Sequence, residues 1–124
     1  MSQKGFATLE IILMVMVIGI LATMAVPQFE KMTAAANTSK VQSDLAAINT
    51  AIAVYEMEKG TTPTYAQLTA NDANYFENGA PQPPTGKIYV NGTVTDIGST
   101  GYAVTDGKAT FDGKTADKFT TKSS

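Results

Sequence analysis

The chain contains no cysteine, no histidine, no tryptophan and no arginine. Without cysteine there is no disulfide and no thiolate for a metal or a substrate. Without histidine there is no imidazole ligand, and nucleophile pairs that work through cysteine or histidine are excluded. Nine lysines face eleven acidic residues, a formal net charge of −2. That balance leaves no basic footprint, so nucleic acid is not indicated as a partner. With 124 residues one small domain is expected, and residues 28–124 are enough for one modest core.

Charge is scarcest at the N-terminal end. Between Phe6 and Val26 lie 21 residues with a single charge, Glu10. As a helix at 1.5 Å per residue this run covers about 31 Å, the thickness of a hydrocarbon core. A carboxylate inside such a run costs about 2.5–3.5 kcal/mol at the centre of a membrane helix and less near an interface. Two readings of Glu10 follow: it sits near the headgroups and is tolerated, or another chain supplies a cationic partner. Lys4 favours a cytoplasmic N-terminus by the positive-inside rule. A secretory signal peptide cleaved near Thr23-Met24-Ala25 is the competing reading. Glu10 in the would-be apolar core and a helical pattern continuing past that point count against it.

Pro27 would ordinarily end or kink a helix. Here the helical pattern resumes at once, so a kink is expected, with Gly19 a second weak point. Val41, Leu45, Ile48, Ile52 and Tyr55 follow steps of four, three, four and three, one apolar stripe facing a core. Ala46, Ala47, Ala51 and Ala53 lie off that stripe. Gly60 and then Pro63 stop the helix, which is expected over about 7–58. Thr64-Tyr65-Ala66-Gln67 reads as a capping box opening a short helix to Leu68 or Asn71. Tyr75-Phe76 anchors the following loop, and Pro81-Gln82-Pro83-Pro84 is an extended connector.

After Gly86 the period becomes two. Asn91-Gly92 and Asp106-Gly107 are hairpin signals between short runs rich in β-branched and aromatic residues. The pattern predicts a four-strand antiparallel meander over about 87–112, with Ile88, Val90, Val94, Tyr102, Val104 and Phe111 facing inward. The segment from Asp112 to Ser124 reads as a polar tail, tacked down by Phe119 and loose at its end.

Lys4-Gly5-Phe6-Ala7-Thr8-Leu9-Glu10, followed by the apolar run and Pro27, resembles the prepilin signature of type IV pilins and of type II secretion and competence pseudopilins. The resemblance covers about a fifth of the chain and implies an α+β pilin fold: one long helix whose C-terminal half packs on a small antiparallel sheet of three to four strands. It implies three parts, a leader over 1–5, an apolar membrane and filament-core half-helix over 6–27, and a globular domain over 28–124. It implies cleavage between Gly5 and Phe6 by a prepilin peptidase on the cytoplasmic side and N-methylation of Phe6. Glu10 then stands where the family keeps its assembly glutamate, and Gly19 and Pro27 where it has its helix-loosening residues. The implied partners are copies of the chain in a helical filament, an inner-membrane assembly platform with minor pilins, and the cytoplasmic membrane before assembly. The implied location is a single pass through that membrane, then an extracellular or periplasmic filament. The absence of cysteine departs from those pilins that close a C-terminal loop with a disulfide.

No catalytic constellation is present, so the expected role is a structural subunit and not an enzyme, with no cofactor. Asp106, Asp112 and Asp117 invite a calcium reading, because carboxylates and loop carbonyls are calcium ligands. Major pseudopilins of type II secretion carry a C-terminal calcium loop, but this chain lacks that loop's tryptophan and its acidic run. Turn-forming aspartates account for these residues without metal, and no metal site is assigned. The rival class is a membrane-anchored or secreted binding module that does not polymerise.

Overall fold

The computed structural model describes residues 3–70, 73–98 and 100–123. Met1 and Ser2 of the leader, and Asn71 at the outer limit expected for the second helix, lie outside the described residues. The elements in order are α1 (Gln3–Lys59), α2 (Tyr65–Thr69), β1 (Lys87–Val90), β2 (Thr93–Asp96), β3 (Tyr102–Thr105), β4 (Lys108–Phe111) and a single 3-10 turn, Ala116–Lys118. The chain divides after Met32 into two compact units, and α1 contributes to both. This is the expected α+β architecture of one long N-terminal helix followed by short antiparallel strands.

α1 begins earlier than expected, at Gln3, and continues through Pro27 to Lys59. Gly60, at φ 74°, closes it in the left-handed conformation that glycine adopts without steric cost, and its N–H donates to Glu56 O at 2.8 Å. In the unit that starts at Thr33, the buried face of α1 is Ala34, Thr38, Val41, Leu45, Ile48 and Ile52. The stripe is therefore two positions longer at its start than the large apolar residues announce. Ala51, placed off the stripe by periodicity, is 3% exposed. It neighbours Ile52 on a helix side wide enough to bury both, since the apolar sector of a core-facing helix exceeds a single row. α2 opens with both bonds of the capping box: Thr64 Oγ1 accepts from Gln67 N at 3.3 Å, and Gln67 Oε1 accepts from Thr64 N at 2.8 Å.

The four strands form two separate antiparallel hairpins, β1 with β2 and β3 with β4, where the alternation pattern predicts one meander. The outer edges of β1 and β4 are held by the helix. Tyr89 N in β1 donates to Thr38 Oγ1 of α1 at 2.9 Å, and Ala109 N in β4 donates to Asn49 Oδ1 of α1 at 2.8 Å. Asn37 Nδ2 donates to Thr85 O and Lys87 O at 3.0 and 2.7 Å. Helix side chains thus satisfy backbone groups at strand edges that carry no neighbouring strand. Both hairpins close through two-residue turns with positive φ at each position, Asn91-Gly92 (49°, 83°) and Asp106-Gly107 (52°, 78°), the type I′ geometry.

A third turn of the same kind, Asp112-Gly113 (φ 52° and 74°), reverses the chain after β4. Phe111 and Lys114 exchange backbone bonds across it at 2.9 and 3.0 Å. The polar tail is accordingly folded back along the unit. Lys118 O accepts from Asn91 N at 2.8 Å, Thr120 O accepts from Gly92 N at 2.9 Å, and Phe119 O accepts from Gln42 Nε2 at 2.5 Å. Phe119 is 1% exposed and stacks at a tilt on Phe111, ring centroids 5.8 Å apart. The core joins Val41, Leu45, Ile48 and Ile52 of α1 to Leu68, Ile88, Tyr102, Ala109, Phe111 and Phe119. Of the strand residues predicted to face inward, Ile88, Tyr102 and Phe111 are buried and Val90, Val94 and Val104 are half-buried.

Candidate functional site

The residues singled out from the sequence, Gly5, Phe6, Glu10, Gly19 and Pro27, all lie on α1 within the unit that ends at Met32. From Phe6 to Met32, sixteen large apolar side chains are 48–67% exposed, on every side of the helix. This segment is long and apolar enough to cross a membrane. A helix apolar all round is stable only in lipid or among other helices, so the segment is a surface that needs a non-aqueous environment.

The polar groups on this helix are mostly satisfied within it. Thr8 Oγ1 donates to Lys4 O at 2.9 Å and Thr23 Oγ1 donates to Ile20 O at 2.6 Å. Glu10 differs. Its side chain is exposed, and among the described residues no ion pair or hydrogen bond reaches its carboxylate. A carboxyl group one turn beyond Phe6 therefore stands unanswered among the described residues. Gly19 has open space around it: a Cβ there would meet no atom within 4 Å. Nothing inside the chain requires glycine at that position. Pro27 brings no N–H, so the Thr23 carbonyl four residues earlier loses its intrahelical donor.

The unit from Thr33 onward carries one polar cluster that the sequence reading passed over. Asp44 Oδ2 accepts from Lys40 Nζ at 2.6 Å and from Tyr102 Oη at 2.5 Å. Burial first, then the hydrogen bond and the negative charge of Asp44, push the Tyr102 phenol far above its ordinary range. Burial and the same carboxylate raise Tyr65 as well. The cluster fastens β3 to α1. Its sequence signal is an i,i+4 Lys–Asp pair placed beside the buried Val41 and Leu45. The surface hollows of this unit are shallow. One of about 350 Å³ runs beside Leu68, Tyr75 and Phe76, and a groove of about 480 Å³ lies between Ala47 and Thr50 of α1 and the 76–81 loop.

Asp106, Asp112 and Asp117 do not converge: among the described residues no group of three acidic side chains is placed to hold a metal ion. Asp106 and Asp112 each occupy the first position of a type I′ turn. Asp117 accepts from Thr115 Oγ1, and that bond holds its carboxyl below the usual range.

Comparison with known proteins places this arrangement in a lineage. The chain is 37% identical over 71 residues to the type IV narrow pilus major component PilA5 of Thermus thermophilus, a match covering 57% of this chain and 61% of that protein. It is 34% identical over 101 residues to the type II secretion system core protein G of Klebsiella pneumoniae, covering 70% of this chain and 72% of that one. A fimbrial protein of Pseudomonas aeruginosa is 32% identical over 79 residues, covering 62% of this chain and 51% of that one. No family model matches the chain. No solved structure matches it. An exposed apolar half-helix with one unanswered carboxylate, a stripe-faced continuation under two antiparallel hairpins, and this identity across most of a pseudopilin show that the chain belongs to the family of type IV pilins and type II secretion pseudopilins.

Proposed function

We propose that the chain is the abundant structural subunit of a type IV pilus or pseudopilus, made as a precursor with Met1–Gly5 as leader. A prepilin peptidase cuts between Gly5 and Phe6, and the new Phe6 amine is N-methylated. Before assembly the segment 6–27 holds the subunit in the cytoplasmic membrane, leader side inward. An inner-membrane platform, acting with minor pilins, then moves the subunit into a helical filament of its own copies. There the apolar surface exchanges lipid for the same surface of other subunits. Gly19 and Pro27 are the points at which the helix loosens to fit that packing.

One observation carries this reading: Glu10 is the single charge in the exposed apolar run from Phe6 to Val26 and has no partner among the described residues. A methylated secondary amine on Phe6 stays protonatable. In a filament the Phe6 amine of a neighbouring subunit can sit beside Glu10 away from water. Opposite charges attract more strongly there, and an unpaired one is costly. Apolar packing tolerates sliding, whereas this pairing forms only in one axial register. The test compares sheared-filament yield with cellular subunit level for Glu10→Val, Glu10→Ala and Glu10→Gln. Cleavage and membrane insertion are expected to persist while filament yield falls sharply, with Gln intermediate at best. Wild-type yield from Glu10→Val would leave Glu10 as a merely tolerated charge.

A further inference from the structure

Two Asn-Gly pairs occur in the chain, Asn78-Gly79 and Asn91-Gly92. This dyad is chemically unstable because glycine places no side chain in the way of its own backbone nitrogen. That nitrogen, once deprotonated, attacks Cγ of the preceding asparagine. The Cγ–Nδ2 bond breaks and ammonia leaves, giving a five-membered succinimide. Water then adds to one of the two ring carbonyls and opens the ring, leaving aspartate or isoaspartate. No oxidant or reductant is involved, and the net change is an amide nitrogen replaced by oxygen, with one negative charge gained.

The two sites differ in how firmly the peptide after asparagine is held and in how closely the chain packs on it. Ring closure requires the backbone C–N bond of asparagine to swing toward its own Cβ. At Asn91 the type I′ turn sets ψ near about +30°, which leaves the Gly92 nitrogen nearly anti to Cβ. The turn is held there from outside: Gly92 N–H donates to Thr120 O at 2.9 Å and Asn91 N–H donates to Lys118 O at 2.8 Å. A Cβ on Gly92 would lie 2.6 Å from Ser123 N, so the folded tail packs directly on this peptide. Asn78 is exposed, in a turn outside any strand. The nitrogen of Gly79 has one long bond, to Phe76 O at 3.3 Å, and a Cβ there would meet nothing within 4 Å.

We propose that Asn78 is the deamidation site of this protein and that the packed C-terminal tail protects Asn91. The product carboxylate at position 78 joins Glu77 and Asp44 along the groove beside Ala47 and Thr50, making that surface more acidic as the protein ages. Like charges there repel one another and any acidic neighbour.

The test uses the full-length protein in detergent micelles, held in warm, mildly alkaline buffer and sampled over time. Peptide mapping by mass spectrometry, with fragmentation that separates aspartate from isoaspartate, follows both sites in one sample. Conversion at Asn78 is expected to outrun Asn91 by on the order of tenfold or more, the factor set by opening a turn against two backbone hydrogen bonds. In concentrated urea the two rates are expected to converge, because both dyads are then unconstrained. Gly79→Ala is expected to slow conversion at Asn78 strongly and to leave Asn91 unchanged. Equal rates in the folded protein, or faster conversion at Asn91, would overturn the proposal. A rate difference that persists undiminished in urea would show that local sequence, and not the packed tail, distinguishes the sites, and would equally overturn it.

Discussion

Replacing Asn49 by alanine isolates one of the bonds that tie the second hairpin to the helix. Asn49 Oδ1 accepts the N–H of Ala109, a residue 1% exposed. Truncation leaves that N–H buried without an acceptor, a loss of about 1–3 kcal/mol. Alanine is the better helix former, which returns up to about 0.7 kcal/mol. The net expectation is a destabilisation of about 1–2 kcal/mol. In a fragment spanning 28–124 each kcal/mol moves the midpoint by roughly 4–8 °C, so Tm should fall by roughly 4–16 °C. Asn49→Asp keeps an acceptor oxygen and should recover most of the loss. Thr50→Ala is the control: its hydroxyl is exposed and, among the described residues, bonds only to Ala46 O within the helix, so its effect should stay within about 0.5 kcal/mol. The readout is thermal unfolding by circular dichroism at neutral pH, with all four proteins compared. If Asn49→Ala is as stable as Thr50→Ala, the hairpin edge is not held by the helix side chain.

Two further perturbations probe the same unit. Ile48→Ala and Ile52→Ala, at 0% and 4% exposure, should each cost about 2–5 kcal/mol in chemical denaturation; an unaltered midpoint would mean the stripe is not the core face. Tyr102 has its phenol raised, chiefly by burial and then by Asp44. A raised folded-state value means its contribution is fully present below about pH 10, the unfolded tyrosine value, and is lost as pH climbs beyond it. Unfolding followed from neutral to strongly alkaline pH should show a shallower loss for Tyr102→Phe than for the wild type, and parallel curves would remove this phenol from the account.

How much of this was legible in the sequence depended on whether a feature is local. The stripe Val41–Leu45–Ile48–Ile52, the capping box at Thr64 and the turns at Asn91-Gly92 and Asp106-Gly107 are written in neighbouring residues, and each forms as the pattern predicts. Asp112-Gly113 carried the same turn signal but stands at the head of a polar tail with no strand pattern after it, so its reversal was not anticipated. Thr38 sits in register with the stripe, four residues after Ala34 and three before Val41, yet is polar. Its task, accepting from Tyr89 51 residues away, is invisible without the fold. The docking of each hairpin on the helix uses such long-range bonds from Thr38 and Asn49, and alternation within strands says nothing about them. The apolar run from Phe6 to Val26 was the most legible part, since one carboxylate in an uninterrupted apolar run stands out by composition alone. Among the described residues no ion pair or hydrogen bond reaches Glu10.

The most direct measurement is the intact mass and N-terminal sequence of the chain recovered from sheared filaments of its native cell. The account predicts that the chain is present in that fraction, starts at Phe6 and carries a methyl group on its amine. A chain absent from filaments, and found in membrane or soluble fractions starting at Met1 or Val26, would contradict it.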